Sequence, residues 1–336
     1  MGGKLFTDGD LSLIKGKTIS IIGYGNQGRA HGIVLKEVYG MDVIVGSIKD
    51  ASWDKAVSDG FSVYPIRNAV ERSNIILLLL PDEIAPKVYE KEIEPVLKEK
   101  KWCLIDFASG YNVMYNYIKC PTNADVIMVA PRMIGAGILD LVKGKGRGYP
   151  VLLGVAQDVS GKAWDYACAL SKGIGAFLPG GIAVESSFEE EAMIDLFTEH
   201  FIGPQMIAVT TAAFELLTEE YGVSPAAAIL ELYASEEWSE IFKAMADVGF
   251  YKQMKYHSRT SQYGQFTRAH KILQDQELKQ KMRETLTGIV NGEFAREWSS
   301  EQALGYPVFN RIWKLFEESK MSKEEDRLYR ALKRRQ

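Results

Sequence analysis

Short unbroken apolar runs alternate with amphipathic stretches along the first half of the chain, and the second half carries amphipathic stretches alone. Residues 18–22, 41–46, 74–80, 102–107 and 125–130 are continuous apolar or β-branched runs, the pattern of strands buried on both faces of a parallel sheet. A shorter run covers 62–64, and 151–155 is the last of the kind. Between them 27–35, 53–59, 66–71 and 83–98 read as helices. Residues 135–149, rich in glycine and basic residues, read as a loop. Strands alternating with helices define βαβ units, hence a parallel sheet covered on both faces. From residue 160 the pattern is helical: 162–172, 190–201, 204–221, 224–248, 273–291 and 292–302. The expected fold class is α/β, with a parallel-sheet domain over 1–182 and an all-α domain over 183–336. The boundary falls near Pro179-Gly180-Gly181. The charged stretch 320–336 reads as a solvated helix or a partly disordered tail.

The turn after the first strong strand carries the most specific chemistry. Gly23, Gly25 and Gly28 follow residues 18–22 in G-x-G-x-x-G spacing and open a helix. The first glycine makes the tight turn, and the second lets a pyrophosphate approach the backbone. The third lets helix and strand pack closely, which places phosphates on the helix N-terminus. The domain is therefore expected to be of Rossmann type, with Gly23, Tyr24, Gly25, Gln27 and Gly28 against a dinucleotide. The next strand ends at Gly46-Ser47 without the acid that would bond both ribose hydroxyls of NAD. Ser47, Lys49 and Ser52 suit a 2′-phosphate and favour NADP(H), while Asp50 in the same loop keeps NAD(H) possible. Ligands of open α/β sheets bind at the carboxyl ends of the strands. Leu80-Pro81-Asp82 and Ser109-Gly110 stand at two such ends and are assigned to the same cofactor, and Arg132 stands at a third.

The helical half adds an acidic pair. Asp195 and Glu199 are four apart, so they share a helix face and suit one divalent cation, although such pairs are more often a solvated face. Glu231 lies in an apolar, small-residue run, where a buried carboxylate needs a partner or a metal. The four histidines, His31, His200, His257 and His270, form no ligand cluster by spacing.

Composition narrows the class without choosing within it. Hydrophobic residues at 46% and charged residues at 25% are ordinary for a globular chain of 336 residues. A net charge of −4 gives no electrostatic case for nucleic acid or an anionic membrane surface. The three cysteines have no C-x-x-C spacing, which fits reduced thiols in a cytoplasmic protein. The first residues lack the apolar core of a signal peptide, and the longest apolar run, 75–80, is too short to span a bilayer.

Together these stretches resemble a short-form (class I) ketol-acid reductoisomerase over nearly the full length. The resemblance is carried by DLSLIKGKTISIIGYGNQGRAHG, LLLLPDEIAPKVYEKEIEPVLK, DVIMVAPR, GYPVLLGVAQDVSGKA, ALSKGIGA, FEEEAMIDLFTEH, the SQYG turn at 261–264 and NGEFAREW. It implies a Rossmann domain and a knotted helical domain, and a dimer at minimum, because each family active site takes helices from two subunits. It also implies NAD(P)H and two Mg²⁺. The reaction it implies moves an alkyl group in a 2-hydroxy-3-keto acid and then reduces the product by hydride transfer, in branched-chain amino-acid synthesis. Asp195 is then the expected bridge between ions, with Glu199 and with Glu231 of a second subunit, and Ser258 belongs to the substrate-binding serine region. The chain departs from the family pattern at several of these places. Ser235 replaces the glutamate four residues after Glu231, Ser109 replaces a histidine, and Arg132 replaces a lysine. Met133-Ile134-Gly135-Ala136-Gly137 replaces a Gly-Pro-Gly segment. The expected function is an NAD(P)H-dependent, Mg²⁺-assisted reductase of a small 2-keto or 2-hydroxy-3-keto acid, its isomerisation step in doubt. The alternative is a catalytically silent nucleotide-binding paralogue that regulates or assembles with another protein.

Overall fold

A computed structural model describes residues 3–334. It divides into two compact units, Met1–Asp195 and Leu196–Gln336.

Unit 1 is built on one sheet of nine strands among the described residues. They are β1 (Leu5–Phe6), β2 (Ile19–Ile22), β3 (Val43–Gly46), β4 (Ser62–Tyr64), β5 (Ile75–Leu78), β6 (Cys103–Phe107), β7 (Ala124–Pro131), β8 (Val151–Gln157) and β9 (Ala183–Glu185), in the order β1-β9-β8-β7-β6-β5-β2-β3-β4. The stretch from β4 to β7 is parallel. Every residue of β2, β3, β5, β6 and β7 is buried, as their unbroken apolar sequences require. Successive side chains go to opposite faces and feed two separate cores. Ile19, Ile21, Val45, Ile75 and Leu77 pack on one face, and Ile22, Ile44, Ile76, Leu78 and Ile105 on the other.

The helices of unit 1 are α1 (Asn26–Ile33), α2 (Ala51–Ser58), α3 (Ile66–Arg72), α4 (Ala85–Val88), α5 (Glu94–Lys98), α6 (Tyr111–Met114), α7 (Gly135–Leu139), α8 (Ala163–Gly173) and α9 (Phe188–Phe197). Ala30 and Ile33 of α1 join Ala163, Ala167 and Leu170 of α8 in the first core. Ala69 and Val70 of α3 join Val96 and Leu97 of α5 in the second.

The structure corrects the sequence reading at several points. The sheet is not wholly parallel: β8 runs antiparallel to β7, and β1 antiparallel to β9. Residues 135–149, expected as a loop, begin with α7 and a wide i→i+5 turn at Asp140–Gly144. Two of their glycines serve packing: a Cβ on Gly135 would sit 2.3 Å from the Asn26 carbonyl oxygen, and one on Gly148 2.3 Å from the Ala176 carbonyl oxygen. Residues 183–185, placed beyond a boundary at 182, form β9 beside β8, so the sheet runs past that point. β1, of two residues, and β9, of three, were not expected from the sequence.

Unit 2 is helical. It contains α10 (Gly203–Glu215), α11 (Pro225–Ile229), α12 (Glu237–Val248), α13 (Arg259–Leu273), α14 (Gln276–Val290), α15 (Glu293–Ala303), α16 (Pro307–Glu317) and α17 (Lys320–Ala331). A break was expected at residues 202–203, before Pro204, yet one helix runs over Phe188–Glu220. The wide turn Thr198–Ile202 precedes Pro204, which enters at the first positions of the next regular segment, where its missing N–H costs little. By length and composition alone this helix could cross a membrane, with a mean hydropathy of 1.3 over its most apolar window. The SQYG segment, expected as a turn, lies inside α13. Phe214, Ala228, Ile229 and Ala234 form a small core in this unit.

Candidate active site

The carboxyl ends of β2, β5, β6 and β7 lie side by side, with Ile22 opposite Leu78, Leu78 opposite Phe107 and Phe107 opposite Met128. The chain winds outward from β2 in both directions, so the crevice falls at the switch between β2 and β5. The glycine turn is built for this place. Gly23 has φ +95°, and a Cβ there would meet the Leu79 carbonyl oxygen at 2.7 Å. A Cβ on Gly28 would sit 2.0 Å from the Gly23 carbonyl oxygen. Around Gly25, by contrast, a Cβ would meet nothing within 4 Å. Gly25 is also the N-cap of α1, and no side chain caps that helix. An open glycine beside an uncapped helix N-terminus is a fit for a dinucleotide pyrophosphate. The Gln27 Nε2 donates to the Met133 carbonyl at 3.2 Å, which ties α1 to the loop after β7.

Beyond the carboxyl end of β3 lies a cleft of about 500 Å³ lined by Ser47, Lys49, Trp53, Ile66, Lys87 and Lys91 among others. Asp50, which weighed toward NAD, is used as a helix cap: its Oδ1 accepts from the Ser52 and Trp53 backbone N–H groups at 3.0 Å each. Lys87 and Lys91 escape a sequence reading because they come from the segment after β5. Asp82 is held by Asn112, whose Nδ2 donates to the Asp82 carbonyl at 3.2 Å and to its Oδ1 at 3.0 Å. Ser109 Oγ accepts from the Tyr111 backbone N–H at 3.2 Å. Tyr111 and Tyr115 pack ring against ring, centroids 5.0 Å apart.

At the ends of β6 and β7 the structure brings three charges together. The Arg132 guanidinium spans two carboxylates, donating through Nη2 to Glu191 Oε1 at 2.6 Å and through Nη1 to Asp195 Oδ1 at 3.0 Å. The other Glu191 oxygen accepts from the Gly110 backbone N–H at 2.6 Å. Gly110 has to be glycine, because a Cβ would sit 2.0 Å from the Phe188 carbonyl oxygen at the start of α9. Glu191 is 1% exposed, and burial pushes its carboxyl above the usual range despite the opposing pull of Gly110 N–H and Arg132. Sequence reasoning missed Glu191. Its only signal was a place four residues before Asp195, one helical turn away, in a run of three glutamates.

The Mg²⁺ that the family resemblance implies does not fit at Asp195 in this arrangement. One Asp195 oxygen is already the acceptor of a guanidinium, and a second cation there would meet a positive charge at close range. Glu199, exposed, lies on the wide turn that continues α9, and Glu231, also exposed, lies on the wide turn Leu230–Ala234 after α11. Among the described residues no three His, Cys, Asp or Glu side chains form a group able to hold a metal within one chain. Glu236, the acid next to Ser235, leaves the helix at φ 73° and pairs with Arg334 at 2.6 Å. Ser258 caps α13, its Oγ accepting from the Ser261 N–H at 3.2 Å. His200 packs on Phe294 at 3.9 Å between centroids, and His31 is fully buried in α1.

The fold and the glycine turn define a Rossmann-type dinucleotide-binding protein with a helical second unit. The pattern described as "Acetohydroxy acid isomeroreductase, NADPH-binding domain" matches residues 13–180, and "Ketol-acid reductoisomerase, C-terminal domain" matches 188–334. The chain is 51% identical over 332 residues to "Putative ketol-acid reductoisomerase 3" of Saccharolobus solfataricus, covering 99% of this chain and 98% of that one. It is 42% identical over 306 residues to the ketol-acid reductoisomerase (NADP(+)) of Pyrobaculum islandicum, covering 90% and 89%. A solved structure of an NADH-preferring ketol-acid reductoisomerase from an uncultured archean superposes with a TM-score of 0.88 at 33% identity, covering 97% and 98%. The chain therefore belongs to the ketol-acid reductoisomerase family, and it is an NAD(P)H-dependent oxidoreductase.

Proposed function

We propose that this chain uses NADPH to reduce a small 2-keto acid and has lost the alkyl migration that precedes reduction in its family. The observation that carries this reading is Arg132 clamped onto Glu191 and Asp195 beside an intact dinucleotide turn. Bound NADPH would supply the hydride. The open face of Gly25 and the uncapped amides opening α1 would hold its pyrophosphate. Ser47, Lys49, Lys87 and Lys91 would surround its 2′-phosphate, where positive charge favours NADPH over NADH. Moving an alkyl group needs strong Lewis-acid activation of two adjacent oxygens, and Ser109, Arg132 and Ser235 are the substituted positions. Reducing a ketone needs only a positioned hydride donor and a polarised carbonyl, which a guanidinium edge supplies.

Support for a second copy of the chain comes from the apolar residues that unit 2 leaves exposed, such as Val209, Phe242, Phe309 and Trp313. The functional reading is tested by following the nicotinamide absorbance with NADPH or NADH, using 2-acetolactate and simple 2-keto acids. The expected result is NADPH oxidation with 2-keto acids and none with 2-acetolactate. Turnover of 2-acetolactate on the order of 1 s⁻¹ or faster would overturn the loss of migration. Tight NADPH binding without any turnover would instead favour the silent paralogue.

A further inference from the structure

The replacement of lysine by Arg132 changes what the acidic pair of α9 can hold. A guanidinium is a planar fork, and here its two outer nitrogens reach two different carboxylates, Glu191 at 2.6 Å and Asp195 at 3.0 Å. An ammonium is a compact point charge and does not span two acids in this way. The fork is anchored from behind, because Glu191 is 1% exposed and its second oxygen takes the Gly110 N–H at 2.6 Å. Two negative charges and one fixed positive charge leave the group at a net −1, with its cation already in place. In unit 2, Glu236 is likewise committed, to Arg334, which also donates to the Ala234 carbonyl at 2.6 Å. The acid next to Ser235 is thus engaged by a cation of this chain and does not stand in for the missing glutamate.

We infer that the Arg132 guanidinium is a resident cation that replaces a divalent metal at Asp195, so that this chain reduces its substrate carbonyl without a metal ion at that position. The second half of this inference rests on the reductase reading above, and the first half stands on geometry alone. The chemistry balances without a metal. A hydride leaves the reduced nicotinamide with its electron pair and forms a C–H bond at the carbonyl carbon. The carbonyl oxygen takes a proton from water, the dinucleotide is oxidised and the ketone is reduced to an alcohol. A guanidinium stabilises the developing oxyanion by charge and hydrogen bonding. It offers no coordination sites, so it cannot hold two substrate oxygens on one template as a metal pair does.

The test uses Mn²⁺ as a paramagnetic probe, titrated into the full-length protein and read by electron paramagnetic resonance. The wild type should leave the free-ion signal unchanged at Mn²⁺ concentrations that saturate an ordinary two-carboxylate site. Arg132→Lys keeps the charge but not the fork, and it should gain Mn²⁺ affinity of about tenfold or more. Asp195→Asn should leave the wild-type titration unaltered and abolish the site gained by Arg132→Lys. Chelation with EDTA should change NADPH-dependent reduction less than about twofold. Stoichiometric Mn²⁺ binding by the wild type that disappears in Asp195→Asn would overturn the inference, as would loss of reduction on chelation. NADPH binding, read by fluorescence, is measured on the same samples. Its absence would defeat the reductase reading while leaving the Mn²⁺ result to decide the resident cation.

Discussion

His31 is a polar side chain placed where nothing answers it. It is 1% exposed, neither ring nitrogen has a hydrogen-bond partner, and burial pushes its pKa down to about 4. Between the usual 6.5 and about 4, the unfolded chain binds a proton that the folded one refuses. Stability therefore rises with pH across this window and is lost as pH falls through it, by about 3 kcal/mol in all. Buried Asp106 and Glu191, both shifted upward, act in the opposite sense. The comparison that isolates His31 is with His31→Leu, in urea titrations from pH 4 to 7. The wild type should lose about 3 kcal/mol more than the variant on going from pH 7 to pH 4. Parallel curves would mean that the imidazole finds a partner or reaches water. Arg132 shows the converse arrangement, a buried acid answered by charge. Removing one member of such a pair typically costs about 3–5 kcal/mol because it leaves the other unpaired.

The element that carries the most function is the turn from β2 into α1, and its glycines separate structure from binding. Gly28→Ala would press a methyl group against the Gly23 carbonyl oxygen at 2.0 Å, so β2 and α1 would have to part. We expect it to destabilise the fold by about 2 kcal/mol or more. Gly25→Ala meets nothing in the protein, and its extended backbone accepts a side chain. That variant should unfold within about 0.5 kcal/mol of the wild type while losing about tenfold or more in NADPH affinity. Calorimetric titration and thermal unfolding of the two variants check both halves, and equal NADPH affinity in Gly25→Ala would remove the pyrophosphate from this turn. This element was legible in the sequence because its strand, turn and helix signals are all local. The buried strands β2, β3, β5, β6 and β7 were legible for the same reason. The grip of Arg132 on Glu191 and Asp195 was not, because it joins the end of β7 to a helix about 60 residues later, and no periodicity encodes that approach. Continuation of the helix through Pro204 was hidden by a residue that usually marks a start or a stop, and which here follows a wide turn.

At the scale of the whole molecule, unit 2 buries too little of its own apolar surface. Its core around Phe214, Ala228, Ile229 and Ala234 is small, and α16 holds Phe309, Ile312, Trp313 and Phe316 at 50%, 47%, 60% and 54% exposure. These positions fall at i, i+3, i+4 and i+7, one continuous stripe along a helix. On α10, Met206, Ile207 and Val209 are more than half exposed as well. A soluble chain rarely leaves stripes of this size to water, and a second copy of the same chain would cover them symmetrically. If so, folding and association are linked, and stability depends on protein concentration. Sedimentation at micromolar concentration should give at least twice the 37.6 kDa of one chain. The melting temperature should rise on concentrating the sample. Trp313→Glu places a charge in the stripe without touching the sheet of unit 1, so it should shift the sedimenting species toward the monomer while unit 1 retains NADPH binding. A wild-type monomer with a concentration-independent melting temperature would rule out the second copy. The exposed apolar residues of the helix Phe188–Glu220, such as Met206, Ile207 and Val209, would then call for a different cover, and lipid vesicles would be the next surface to try, since that helix is long and apolar enough to enter one.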